Sequence, residues 1–264
     1  MLEELSAIVR KAGGIILSAD MSKIRLQQKT SPGDFVTSCD IAVQEMLRDE
    51  LKRLLPEARF IGEESSPEDI NTEGYCFIVD PIDGTANFAW DYRHSAVSVA
   101  LAYNEKMVFG LVYNPYLDEL FYAEAGKGAF LNGSRIWASK RRLRDGLVCF
   151  GSSPYDKTKA EATFSLAGLL YENALDVRRS GSAALDICYI ACGRCDLFYE
   201  MSLSPWDYAA ASLIVIEADG VISNMYGQPL QYRKKSSVLA GGRNAYHDFW
   251  RVYHEFLSRR TGDD

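Results

Sequence analysis

Chemistry is most concentrated in one string of this 264-residue chain, Asp80-Pro81-Ile82-Asp83-Gly84-Thr85-Ala86-Asn87-Phe88. An apolar run, Tyr75 to Val79, stops at one carboxylate, and a second carboxylate follows across a proline. Pro81 fixes the turn, and Gly84 lets the chain reverse tightly. Thr85, Ala86 and Asn87 then open a helix whose first N–H groups have no partner inside it. Two anionic oxygens and a group of donors around one point suit hard divalent cations and a phosphate. A single aspartate in such a place is ordinarily a turn or cap residue. Two further acidic segments argue for more: Gly62-Glu63-Glu64 and Trp206-Asp207. Several carboxylates without a neighbouring histidine make a Mg²⁺-type ligand set and not a zinc set. The three histidines, His94, His247 and His254, show no ligand spacing, which also disfavours a Ser–His or Cys–His nucleophile. No G-x-S-x-G, G-x-x-x-x-G-K-[ST] or G-x-G-x-x-G string is present.

These residues need elements to hold them. Leu2, Leu5, Ile8, Val9 and Ala12 form a helical stripe, and Ile41, Val43, Met46, Leu47, Leu51 and Leu54 give a second helix from near Asp40 to a stop at Pro56. Lys29 to Asp34 reads as a loop. Arg59–Gly62 and Tyr75–Val79 read as strands, the latter buried on both faces. Ser95–Tyr103, Met107–Tyr113 and Glu119–Ala123 follow as β, with a hairpin turn at Asn132-Gly133. Beyond residue 140 strands and helices alternate: strands at Leu147–Phe150, Ala174–Val177, Leu197–Glu200, Val221–Ser223 and Val238–Ala240, helices at Lys157–Tyr171, Ala183–Ala191, Trp206–Glu217 and Ala245–Ser258. The expectation is one compact body with an α+β lobe over 1–140 carrying the acidic string and an α/β lobe over 141–264 completing the site.

Composition narrows the class. The chain is 47% hydrophobic and 25% charged, which fits a folded globular protein. With 29 basic and 36 acidic residues its net charge is −7, against a nucleic-acid binder. No apolar run is long enough for a membrane helix, and Met-Leu-Glu-Glu does not begin a signal peptide. Six cysteines, several in apolar runs, then fit buried free thiols in a reducing, cytoplasmic setting.

At these residues the sequence resembles the inositol monophosphatase family of Mg²⁺-dependent, lithium-sensitive phosphatases, over nearly its whole length. The resemblance rests on Asp80 to Thr85, on Gly62-Glu63-Glu64-Ser65, and on Trp206-Asp207-Tyr208-Ala209-Ala210-Ala211 with Glu217-Ala218-Asp219-Gly220 after it. Lys29-x-Ser31-Pro32-x-Asp34 and Val36-Thr37-x-x-Asp40 look like the family's mobile active-site loop and the helix start that follows. It implies a sugar-phosphatase fold, an α/β sandwich of alternating α-β-α-β-α layers, and a homodimer. It also implies roles. Glu63, Asp80 and the Ile82 carbonyl would hold a first Mg²⁺, and Asp80, Asp83 and Asp207 a second, with a weaker third ion near Glu63. Thr85, bonded to Asp40, would orient the attacking water together with Glu63. The Gly84 and Thr85 amides would grip the phosphate. Gly181, Ser182, Ala183 and Glu200 would meet substrate hydroxyls beside Asp83 and Asp207, and Lys29 would belong to the closing loop. The implied activity is hydrolysis of a small sugar or cyclitol phosphate, with inositol 1-phosphate first, fructose 1,6-bisphosphate second and 3′-phosphoadenosine phosphate less favoured.

The physics stands beside the resemblance. A phosphate monoester resists attack by water because it is anionic, and a carboxylate–metal cradle neutralises it without a covalent nucleophile. Some positions depart from the family pattern. Ala86 replaces a common second threonine, Cys39 a small residue, and Asp91-Tyr92-Arg93-His94 an aromatic-proline stretch. Arg93 and His94 therefore stand either at the surface or against a second phosphate. A rival reading comes from Cys188-x₃-Cys192-x₂-Cys195, the spacing that radical S-adenosylmethionine enzymes use for an iron–sulfur cluster. Cys188 and Cys192 also fit one buried helix face.

Overall fold

The computed structural model describes residues 1–24, 26–28, 35–65 and 73–261. The expected loop Lys29–Asp34 lies outside them, and so does the mobile-loop assignment of Lys29.

The first helix, α1 (Leu2–Ser18), buries Leu5, Val9, Ala12 and Ile16, the stripe that the spacing dictates. A short ribbon, β1 (Leu26–Gln28) with β2 (Phe35–Thr37), leads into α2 (Ser38–Leu54). This helix starts two residues before the expected Asp40. Thr37 caps it, and Asp40 closes a capping box at the third helical position. β3 (Arg59–Gly62) and β4 (Tyr75–Asp83) pair in parallel, and β4 is buried at every residue after its first. After α3 (Thr85–Ala89), the strands β5 (Ala96–Tyr103), β6 (Lys106–Asn114), β7 (Glu119–Glu124), β8 (Ala129–Leu131) and β9 (Ser134–Arg135) continue as an antiparallel meander. Together they make a seven-stranded sheet in the order β3-β4-β5-β6-β7-β8-β9.

The second half alternates as expected: β10 (Leu147–Phe150), α4 (Ala160–Asn173), β11 (Asp176–Arg178), α5 (Ala183–Ala191), β12 (Leu197–Leu203), α6 (Pro205–Glu217), β13 (Val221–Ser223), β14 (Ser236–Gly241) and α7 (Arg243–Thr261). Its five-stranded sheet runs β11-β10-β12-β14-β13, parallel between β11, β10 and β12 and antiparallel beyond.

The layers follow from which faces are apolar. α1 and α2 cover one face of the large sheet, through Val43, Leu47 and Leu51 against Phe77, Val79 and Leu101. α5 and α6 cover the other and separate the two sheets. Both are apolar nearly all round, as helices sandwiched between layers must be. α4 and α7 close the outside of the small sheet. The result is the expected α-β-α-β-α sandwich. Because helices from the second half line the sheet of the first, the two halves share one core. Among the described residues no helix is long and apolar enough to cross a membrane.

Candidate active site

Asp80 and Asp83 are an odd number of residues apart, so a regular strand would turn them to opposite faces. The pairing of β4 with β5 slips between them: Asp80 faces Ser98 and Asp83 faces Ala96, which leaves one extra residue on β4. That bulge, at Pro81-Ile82, turns both carboxylates to one place. Asp207 reaches the same place from the first turn of α6, far along the chain. One oxygen from each of Asp80, Asp83 and Asp207 lies within 4.8 Å of the others.

Each of the three spends an oxygen on the backbone. The Ile82 N–H donates to Asp80 Oδ1 at 3.0 Å, and the Ser204 N–H to Asp207 Oδ2 at 2.7 Å. The Ala184 N–H donates to Asp83 Oδ2 at 2.9 Å, and the Ser182 hydroxyl donates to the same atom. The second oxygen of Asp80 and that of Asp207 accept no hydrogen bond among the described residues. Burial, then the charges of Glu63, Asp83 and Asp207, push Asp80 well above the usual carboxylate range. Burial raises Asp83 to about 6 despite its hydrogen bonds, and it raises Asp207 as well, with Glu63 and Asp83 adding to the effect. Three crowded carboxylates with idle oxygens and no nitrogen donor fit a hard divalent cation.

Glu63 stands outside this trio. It opens a single 3₁₀ turn directly after β3, and its charge raises Asp40, Asp80, Asp83 and Asp207. Gly62 and Gln44 set that turn. Gln44 Oε1 accepts the Glu64 N–H at 3.0 Å, and an added Cβ on Gly62 would fall 2.1 Å from the same oxygen.

Asp40 and Thr85 meet as the resemblance implied. The Thr85 hydroxyl lies 3.0 Å from Asp40 Oδ1 and 3.1 Å from the Ile82 carbonyl. Asp40 Oδ2 accepts the Thr37 N–H at 2.9 Å and the Thr37 hydroxyl. Burial lifts Asp40 to about 6, against the pull of those bonds. Gly84, at φ +88°, caps α3 from the left-handed region. A Cβ there would lie 3.1 Å from the Gly181 carbonyl and 3.2 Å from that of His94, so glycine is needed for conformation and for close approach.

A cavity of about 420 Å³ opens over this floor. Asp83, Gly84, Thr85, Gly181, Ser182, Ala183, Glu200 and Asp207 line it, so all the expected substrate-contacting positions share one cavity. Asp80, Ile82 and Asp40 lie beneath, nearly inaccessible. Glu200 projects from β12, and its Oε1 accepts the Ser153 N–H at 2.7 Å. Burial raises its carboxyl to about 7.

Among the lining or supporting positions that escaped the sequence reading are Gly151, Ser153, Arg179 and Asp186. Gly151 and Ser153 follow β10 and seat Glu200. A Cβ on Gly151 would fall 1.7 Å from Glu200 Oε2. Arg179 lies two residues before Gly181, and Asp186 sits one turn into α5, so adjacency to the quoted Gly181-Ser182-Ala183 string was their only signal. Arg93 does not reach the cavity. It is exposed and paired with Asp91. His94 packs edge-on to Tyr189, and burial lowers its pKa.

The cysteine alternative fails on geometry. Among the described residues the only metal-compatible group is the aspartate trio. Cys188 is buried on α5, and Cys195 faces Cys149 at 2.9 Å between sulfurs.

A five-layer sandwich with three crowded carboxylates at the seam between its sheets fits the class of phosphatases that work with metal ions. Residues 1–258 match the inositol monophosphatase family, and the chain belongs to that family. It is 36% identical over 244 residues to the Nus factor SuhB of Escherichia coli K12, covering 91% of each chain. It is 30% identical over 253 residues to the inositol-1-monophosphatase of Bacillus subtilis, covering 96% of this chain and 94% of that one. The crystal structure of the extragenic suppressor protein SuhB from Bartonella henselae superposes with a TM-score of 0.88 at 33% identity, covering 95% of this chain and 97% of that one.

Proposed function

We propose that this member of the family is a Mg²⁺-dependent phosphomonoesterase that hydrolyses inositol 1-phosphate, by direct attack of water and without a covalent intermediate. The convergence of Asp80, Asp83 and Asp207 from two distant segments, beside the Thr85–Asp40 pair, carries this reading. Glu63, Asp80 and the Ile82 carbonyl would hold one ion, and Asp80, Asp83 and Asp207 another, with Glu63 available to a third. Bound there, Mg²⁺ would supply charge neutralisation of the phosphate and acidify a water at the site. Thr85, donating its proton to Asp40, keeps lone pairs with which to accept one from that water, and Glu63 helps to aim it. The Gly84 and Thr85 amides orient the phosphate. Gly181, Ser182, Ala183 and Glu200 fix the ring hydroxyls, so that the ester oxygen lies in line with the attack. The same reading has the protein work as a cytoplasmic homodimer on small phosphorylated substrates.

The test is inorganic phosphate release from a panel of phosphomonoesters, with Mg²⁺ and with EDTA. Mg²⁺-dependent release led by inositol 1-phosphate is expected, and metal-independent release or none contradicts the reading. Glu200→Ala should raise KM for inositol 1-phosphate about tenfold while Mg²⁺ activation stays at its wild-type concentration. Gly151→Ala should move KM the same way by pushing the Glu200 carboxylate aside. An unchanged KM in Glu200→Ala removes that residue from substrate binding.

A further inference from the structure

Two of the six cysteines meet face to face, although 46 positions separate them in the chain. Cys149 lies within β10, and Cys195 stands in the turn that leads from α5 into β12. β10 and β12 pair in parallel, with Val148 opposite Leu197. That register lays the Cys195 turn beside β10 and brings the two sulfurs to 2.9 Å. Backbone bonds fix the turn. The Cys195 N–H donates to the Tyr189 carbonyl at 3.1 Å, and the Asp196 N–H to the Leu147 carbonyl at 2.9 Å. The buried Asp196 carboxylate accepts the Leu147 N–H at 2.8 Å and pairs with Arg141. The sheet therefore holds the two sulfurs together. A disulfide needs them about 2.0 Å apart, so less than about 1 Å of approach remains.

The two thiols are not equivalent. Cys149 donates to Cys195, which lowers the Cys195 thiol, and the charges of Arg178 and Arg141 pull the same way against burial. The same bond and burial raise Cys149. Cys195 is also the more accessible, 6% exposed against 2%. The thiolate is the form that reacts, so Cys195 is the attacking sulfur and Cys149 the resolving one. Their place in the sheet gives the pair a purpose. Gly151 and Ser153, which seat Glu200, follow Cys149 directly, and Glu200 lies on the strand that Cys195 leads into.

We propose that Cys149 and Cys195 are a reversible oxidation site, closing a disulfide that clamps β10 to the head of β12. The oxidant is a peroxide. The Cys195 thiolate attacks one oxygen of hydrogen peroxide: an S–O bond forms, the O–O bond breaks, and the departing hydroxide takes up a proton as water. The Cys149 sulfur then attacks the sulfenic sulfur of Cys195. An S–S bond forms, the S–O bond breaks, and hydroxide leaves with the Cys149 thiol proton as a second water. Two thiols give up two electrons, and one peroxide accepts them. A dithiol reductant reverses the change by exchange. The site stands independently of the phosphomonoesterase reading.

The experiment treats the folded, reduced, full-length protein with one equivalent of hydrogen peroxide, blocks the remaining thiols after denaturation and maps peptides without reduction. A peptide pair joined through Cys149 and Cys195 is expected, with two of the six thiols lost and both regained in dithiothreitol. Accessibility alone would send oxidation to Cys192, the one cysteine of the six that is not fully buried. Oxidation that starts at Cys192, a link between any other two cysteines, or six intact thiols in excess peroxide overturns the proposal. Cys149→Ser should lose the link and leave Cys195 as a sulfenic acid that dimedone traps, and Cys195→Ser should lose both. A Cys149→Ser protein without the trapped acid overturns the assignment of Cys195 as the attacking sulfur. The oxidised wild type should unfold about 5 °C above the reduced form. A midpoint that stays or falls once the link has formed overturns the clamp. Because the wild-type map decides the link by itself, a variant that fails to fold leaves the test intact.

Discussion

Asp83→Asn should lose at least about 10²-fold in kcat while the protein stays folded. Two separate duties meet at this side chain. One oxygen accepts from Ser182 and from the Ala184 N–H at the start of α5, and the other shares space with Asp80 and Asp207. An asparagine turned with its carbonyl toward α5 keeps the first duty. It presents a neutral amide to the cation in place of a carboxylate and so fails the second. Asp83→Ala fails both, leaving a buried N–H and hydroxyl without acceptors at a cost of about 1–3 kcal/mol each. The two variants should therefore look alike in phosphate release and differ in thermal unfolding, with only Asp83→Ala losing stability. Near-normal turnover by Asp83→Asn removes Asp83 from the ligand set.

Freed of metal, the protein should lose stability as pH rises. Asp40 and Asp83 sit at about 6 in the fold, Asp80 and Asp207 are raised too, and an unfolded chain titrates all four near the ordinary carboxylate value. Between those limits the native state holds more protons than the unfolded state. The slope of unfolding free energy against pH is then negative. The penalty is absent below about pH 4 and grows through about pH 6, and every tenfold weakening of a carboxyl's acidity on folding costs about 1.4 kcal/mol. In EDTA the unfolding midpoint should drop by about 5 °C or more between pH 5 and pH 8. Mg²⁺ should restore most of that loss at pH 8 and do little at pH 5, where protons compete for the same oxygens. A midpoint in EDTA that climbs over this range means that the carboxylates are not crowded as described.

Much of this arrangement could be read from the chain because local signals and tertiary demands agree. The all-apolar run before Asp80 can only be a strand covered on both faces, and the stripes of α1 and α2 name the face that covers one side. Leu185 to Ala191, apart from Asp186, and Tyr208 to Val215, apart from Ser212, are apolar all round because two sheets enclose them. The bulge was not legible, since nothing in Asp80-Pro81-Ile82-Asp83 states how β5 pairs beside it. The seating of Glu200 was hidden for the same reason. Gly151 and Ser153 belong to the segment after β10, Glu200 to β12, and their contact exists only through the pairing of those two strands. Arg179 was overlooked because an arginine next to another arginine at the end of a short strand looks like solvated surface.

The bond from Asp83 to the start of α5 has a bearing on how such a protein changes over generations. On the proposed reading, a residue that serves the reaction also fastens one sheet's strand to the helix layer separating it from the other. Mutational drift that abandons catalysis can therefore proceed through asparagine at little structural expense. Drift to a residue without an acceptor would first have to find another way to hold that joint together.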